Sequence, residues 1–142
     1  MRPHPSPMMM VGYVAPPPPP PPMDVLVSPG GPGGSGPLTL VTRNNGAGGT
    51  HSVITSTSFT ATVSNDYGFA PGPLDYLWTS GGTFTVINGQ GTNTVTVSRD
   101  TADNDDTGSQ LVICTITDTS YSGYSGGARD NADFARIRFI SA

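Results

Sequence analysis

The sequence contains no lysine and no glutamate. All six basic residues are Arg, all ten acidic residues are Asp, and the formal net charge over 142 residues is −4. Ala-, Glu- and Lys-rich runs, the best helix material, are therefore missing. Cysteine occurs once, at Cys114. That excludes an intrachain disulfide and favours folding in a reducing compartment. No apolar stretch approaches membrane-spanning length. The first residues lack the charged, apolar and small-residue segments of a secretory signal, so neither membrane insertion nor export is expected. A nucleic-acid partner is not expected either. The six Arg are scattered, and only Arg136 and Arg138 are close enough to share a strand face, which is far from a basic footprint.

Against these gaps stand 32 Thr and Ser residues, 19 Gly and 15 Pro. Thr, Val, Ile, Phe and Tyr favour pleated surfaces, while Gly, Asn and Asp favour turns. The balance points to strands joined by tight loops.

Proline and glycine concentrate at the front. Residues 1–36 hold Pro3, Pro5 and Pro7, seven consecutive prolines from Pro16 to Pro22, and a Gly/Pro-rich run from Ser28 to Pro37. Seven prolines cannot continue a helix or a central strand. They favour polyproline II, spanning roughly 22 Å at about 3.1 Å per residue. The Gly-rich stretch reads as a flexible linker. Residues 1–36 are thus expected to be an extended arm and 37–142 the folded unit. Two apolar patches flank the proline spacer: Met8, Met9, Met10, Val11 and Tyr13 before it, and Val25, Leu26 and Val27 after it. Three readings of the arm stay open. It is a disordered tail, an anchor whose patches add to a neighbouring subunit's sheet edge, or a polyproline ligand for an aromatic groove.

The remaining ~105 residues suffice for one hydrophobic core without staples. Period-two alternation marks seven to eight strands, the spacing expected of a sandwich or barrel. Leu38 and Leu40 alternate with Thr39 and Val41. Phe59, Ala61 and Val63 share one face, as do Leu74, Tyr76 and Trp78. Phe84 and Val86 align, then Val95 and Val97 across an Asn88-Gly89 turn that can close a hairpin. The most hydrophobic strand, Gln110 to Thr117, presents Val112, Cys114 and Ile116 inward. The last, Phe134 to Ile140, alternates Ala135, Ile137 and Phe139 with Arg136 and Arg138. The expected core centres on Trp78, Cys114, Tyr76, Phe59, Ile116 and Phe139.

Three of these features carry a family resemblance: Trp78 in Tyr76-Leu77-Trp78, Cys114 in the penultimate strand, and Asp106-Thr107-Gly108 ahead of it. Together they resemble the immunoglobulin superfamily and its PKD-like variants, over roughly residues 38–142. The resemblance implies an all-β immunoglobulin-like β-sandwich. Ala61 stands where the family's partner cysteine would lie, so Cys114 is expected to be a small buried hydrophobe.

Catalysis has little to work with. The two histidines, His4 and His51, lie in the arm and in an expected loop, and a nucleophile needs a base within hydrogen-bond reach. No catalytic site, resident metal or cofactor is expected. Asp100 to Asp106 is the one stretch with the hard oxygen ligands that suit Ca²⁺; a solvated loop with Asx turns is the competing reading. Tyr121 and Tyr124, set among Ser and Gly, have the chemistry of a recognition loop.

The module is similar to immunoglobulin-like domains of tailed-bacteriophage virions. That similarity implies a structural protein of the virion: a capsid decoration, head-fibre or tail-associated component, with a part in host attachment for some. Its partners would be other virion subunits, met through homo-oligomeric or arm-mediated contacts. The alternative is a cell-surface or glycan-binding adhesion module that recognises a surface glycan or protein.

Overall fold

The computed structural model of the chain describes residues 16–43, 56–80, 85–98, 108–121, 123–125 and 127–141. The described residues contain eight strands: β1 (Asp24–Ser28), β2 (Thr39–Arg43), β3 (Ser56–Asn65), β4 (Leu74–Ser80), β5 (Thr85–Asn88), β6 (Thr94–Ser98), β7 (Gln110–Asp118) and β8 (Arg129–Ser141). They form two four-stranded sheets, ordered β1-β3-β6-β5 and β2-β8-β7-β4. All pairings are antiparallel except β2 with β8, which is parallel.

β1 to β4 and β6 to β8 bury apolar members of their alternating patterns between the sheets. The first sheet contributes Val25 and Val27, Phe59 and Ala61, and Val95 and Val97. The second contributes Val41, Trp78, Val112, Cys114, Ile116, Ala135, Ile137 and Phe139, and Met23 closes one end. The all-β class and the packing of two sheets into a sandwich follow from this arrangement. On β2, Val41 faces in while Leu40 stands outside.

The N-terminal boundary differs from the one expected. Val25 and Val27 do not belong to an arm ending at residue 36. They are core residues of β1, paired across to Val63 and Ala61 of β3. The physical reason is the same alternation that defines the other strands. Val25 and Val27 are separated by Leu26, which is only half-buried. A five-residue strand at a sheet edge also tolerates a proline tract immediately before it.

The Gly/Pro run that follows is a folded connection between the two sheets. Gly31 N donates to Val27 O (2.8 Å), Gly36 N to Gly30 O (3.0 Å), and Gly34 N to Phe134 O (3.0 Å). Glycine is required at Gly31, where a Cβ would overlap the Asp133 carboxylate and the Val27 carbonyl. At Gly34, φ is +67° and a Cβ would press on the Phe134 ring. The 36/37 boundary thus falls inside a loop of the sandwich.

β8 also begins earlier than expected, at Arg129 rather than near Phe134. Among its first residues Arg129 and Asp133 are buried, while Asn131, in step with them, is exposed.

Candidate functional site

The polar chemistry of the described residues gathers where the arm enters the sandwich. Asp118 ends β7, Arg129 begins β8, and the two are register partners with both side chains inward. Arg129 Nε donates to Asp118 Oδ2 at 3.0 Å, and both groups are fully shielded from solvent. A buried charge pair is tolerated only when its remaining donors and acceptors are also satisfied. Here they are engaged widely. Arg129 Nη1 donates to Pro22 O (3.2 Å) and Asp66 O (3.3 Å), and Nη2 to Phe69 O (2.6 Å). The Tyr121 ring lies 4.8 Å from the guanidinium carbon, in cation–π contact.

Asp118 Oδ1 accepts from the Ser120 amide (3.1 Å) and hydroxyl (2.6 Å), and Oδ2 also accepts from Gly72 N (3.3 Å). Burial alone pushes the Asp118 carboxyl up. The Ser120 hydroxyl and amide, the Arg129 guanidinium and the Gly72 amide outweigh it and hold the group below the ordinary carboxylate value.

This pair organises the arm-proximal end. Arg129 reaches the arm at Pro22, the β3–β4 loop at Asp66 and Phe69, and the β7–β8 loop at Tyr121. Further bonds fix the arm. Asn131 Nδ2 donates to Met23 O (2.8 Å), Ser125 N to Pro18 O (2.9 Å), and Tyr67 OH to Asp24 Oδ2 (2.8 Å). The proline tract therefore lies along the domain from Pro18 onward.

A second clamp holds the β1–β2 connection. The Asp133 carboxylate accepts from Val27 N (2.7 Å) and Gly33 N (2.6 Å), and Arg136 Nε donates to Gly34 O (3.0 Å). A third lies at Trp78. Gln90 Oε1 accepts from Trp78 N (2.8 Å), Gln90 Nε2 donates to Trp78 O (2.9 Å), and the indole Nε1 donates to Thr92 O (2.8 Å).

The residues singled out from the sequence are distributed as follows. Phe59, Trp78, Cys114, Ile116 and Phe139 are in the core, and Tyr76 packs against it partly buried. Cys114 has no accessible surface, and burial pushes its thiol up to about 12, against a smaller opposing effect of the Leu77 backbone. At neutral pH it is a protonated thiol, not a nucleophilic thiolate. Tyr121 and Tyr124 meet edge to face, 5.1 Å between centroids. Both are half-buried, and Tyr121 is engaged by Arg129. Met8, Met9, Met10, Val11 and Tyr13, His51, and the Asp100 to Asp106 loop lie outside the described residues.

Sequence reasoning passed over Asp118, Arg129, Asp133 and Gln90. The available signal was the extension of β8's alternation back through Asp133 and Arg129. Charged residues at inward positions made that stretch look like loop.

No family model matches the chain, and neither a curated protein nor a solved structure is detectably similar to it. What the fold itself defines is an all-β sandwich whose buried charges fasten its N-terminal segment to one end.

Proposed function

We propose that this chain is a structural protein of a bacteriophage virion. In this reading it is an immunoglobulin-like sandwich that works through contacts with other subunits, as a capsid decoration, head-fibre or tail-associated component. The observation that supports the immunoglobulin-like part of the reading is the strand order. With β1, β3, β6 and β5 taken as strands A, B, E and D, and β4, β7 and β8 as C, F and G, the two sheets follow the immunoglobulin order, with β2 as an additional strand beside G. Trp78 then falls on strand C and Cys114 on strand F, paired with it in register. Ala61, also in the core, falls on strand B. These are the positions of the family's core Trp and its disulfide, here built without the disulfide. The fold by itself carries no function. The virion role rests on the likeness to domains of that kind and on an arm bonded to the domain at Pro18, Pro22 and Met23.

In this reading the anchoring part of the arm is its upstream part. Since β1 is the edge strand of the first sheet and buries Val25 and Val27, residues that reach a neighbouring subunit lie upstream of Met23, and truncation at residue 36 would remove that strand. The informative variant lacks residues 1–15 and keeps the proline tract. It is expected to melt like the full chain but to be lost from particles purified from the phage that encodes it, as measured by mass spectrometry. Undiminished incorporation sinks the anchor. Absence of the intact chain from such particles sinks the virion role itself.

A further inference from the structure

The arm runs beside the β7–β8 loop and the start of β8, in the same direction. Pro18 O accepts from Ser125 N (2.9 Å), Pro22 O from Arg129 Nη1 (3.2 Å), and Met23 O from Asn131 Nδ2 (2.8 Å). All three bonds run from a domain donor to an arm carbonyl, and the chemistry of proline requires it for the first two. Proline has no N–H, so carbonyls are the only polar groups that the tract from Pro16 to Pro22 offers. In the polyproline II form those carbonyls are not bonded to one another, and Pro18 and Pro22 are about 12 Å apart. Between them Pro20 and Pro21 are half-buried, while Pro16 to Pro19 are exposed. Beside the two donors stand two aromatic rings. Tyr121 meets the Arg129 guanidinium, and Tyr124, next to Ser125 in the chain, packs on Tyr121.

We infer that this end of the sandwich is a binding site for proline-rich segments, occupied in the isolated chain by residues 16–22 as a strap. Amide and guanidinium donors for the carbonyls, with aromatic rings for the pyrrolidines, are what recognition of a polyproline II ligand uses. The strap is releasable. Ser125 is exposed, so water replaces Pro18 O when the tract lifts. Arg129 Nη1 keeps Asp66 O, and the other guanidinium nitrogens keep Phe69 O and Asp118 Oδ2. Met23 O stays bonded to Asn131. The tract as far as Pro22 thus leaves without orphaning a buried donor. The ligand in trans is a proline-rich segment of another protein. A second copy's tract is tethered at Met23 beside its own loop, and that short tether gives its cis contact the higher effective concentration. Occupation in cis also weakens a ligand in trans, in proportion to the fraction of chains whose site is open.

The test is calorimetric titration with a synthetic heptaproline peptide. The unaltered full chain is compared with a full-length variant in which Pro16 to Pro21 are replaced by alternating Gly and Ser, after a check that its melt is unchanged. This opened variant is expected to bind heptaproline about tenfold or more tightly than the unaltered chain does, and to ignore a Gly/Ser peptide of the same length. Adding Ser125→Pro to it is expected to weaken binding by about tenfold. That substitution removes the donor, and Gly127 N bonded to Tyr124 O closes a turn whose second position, Ser125, suits proline. Hydrogen exchange gives a readout on the unaltered chain itself. The Ser125 amide, although on an exposed residue, is expected to be protected there, and to exchange about tenfold faster in the opened variant. Heptaproline binding no tighter to the opened variant, binding indifferent to Ser125→Pro, or an unprotected Ser125 amide in the unaltered chain overturns the site. Dimers of the unaltered chain that heptaproline dissolves overturn the choice of a foreign ligand over a second copy's tract. None of these measurements needs particles, so their failure is separable from failure of the virion reading.

Discussion

At Asp118, burial and hydrogen bonding act on one carboxyl in opposite directions, and hydrogen bonding wins. Its folded-state value lies below the ordinary one. The stability it contributes is therefore fully present above the unfolded value of about 3.9 and is lost as pH falls from there through the folded value. Replacing the carboxylate with an amide leaves Arg129 buried beside a neutral partner. Removing one member of a buried pair typically costs about 3–5 kcal/mol. Asp118→Asn is expected to lose stability of that order at neutral pH. It should also lose part of the acid-induced decline, so that its curve converges on that of the unaltered chain below about pH 4. Urea titrations across the acid range check both statements, and parallel curves for the two proteins would refute the second.

The strands show which parts of this molecule are legible in its sequence. The all-β class and the two-layer packing follow from alternation, and on β7 the inward set of Val112, Cys114 and Ile116 is readable directly. β1 was hidden by its surroundings, because a proline tract and a Gly/Pro run on either side made a short strand look like linker. The first turn of β8 was hidden by composition. Alternation is normally recognised by its apolar members, and here Arg129 and Asp133 hold the inward positions because each has a specific job, one on the arm and the other on the β1–β2 connection. The clamps were illegible for a further reason: their acceptors are mostly backbone carbonyls and amides whose positions exist only after folding.

Truncation tests the status of β1. Met23, Val25 and Val27 are buried, and at about 1.5–3 kcal/mol each their loss is comparable with a typical domain stability of ~5–15 kcal/mol. Deletion of residues 1–28 is expected to abolish cooperative unfolding and expose the β3 edge to aggregation, whereas deletion of residues 1–15 is not. Circular dichroism melts of the two truncations distinguish them, and a cooperative melt from the longer deletion would show β1 to be dispensable.

Viewed as a whole molecule, the sandwich has a single cysteine and so holds its two sheets together without an intrachain disulfide. Packing alone is non-directional, and the Gln90–Trp78 contact supplies direction. Gln90 sits in the turn between β5 and β6, which belong to the first sheet, while Trp78 lies on β4 of the second. The N–H and C=O of Trp78 both meet the Gln90 amide, so they point away from β7. The side chain thus completes two ladder bonds on the open edge of β4, in the manner of a neighbouring strand. The indole bond to Thr92 O ties the same turn to the largest core side chain. Glycine at Gly89, with φ of +94° and no room for a Cβ beside the Thr94 carbonyl, permits the turn. Removing the amide in Gln90→Ala leaves a backbone donor and acceptor without these partners, at a cost of about 1–3 kcal/mol. Gln90→Glu keeps an acceptor for Trp78 N but lacks the donor for Trp78 O, and is expected to fall between the two. Stability alone would not separate this lock from generic loss of packing, but hydrogen exchange does. The Trp78 amide, although on an edge strand, is expected to be protected in the unaltered chain and to exchange much faster in Gln90→Ala, with amides paired between β7 and β8 unchanged. Equal Trp78 exchange in the two proteins would mean that the sheets are registered by core packing and the β1–β2 connection instead.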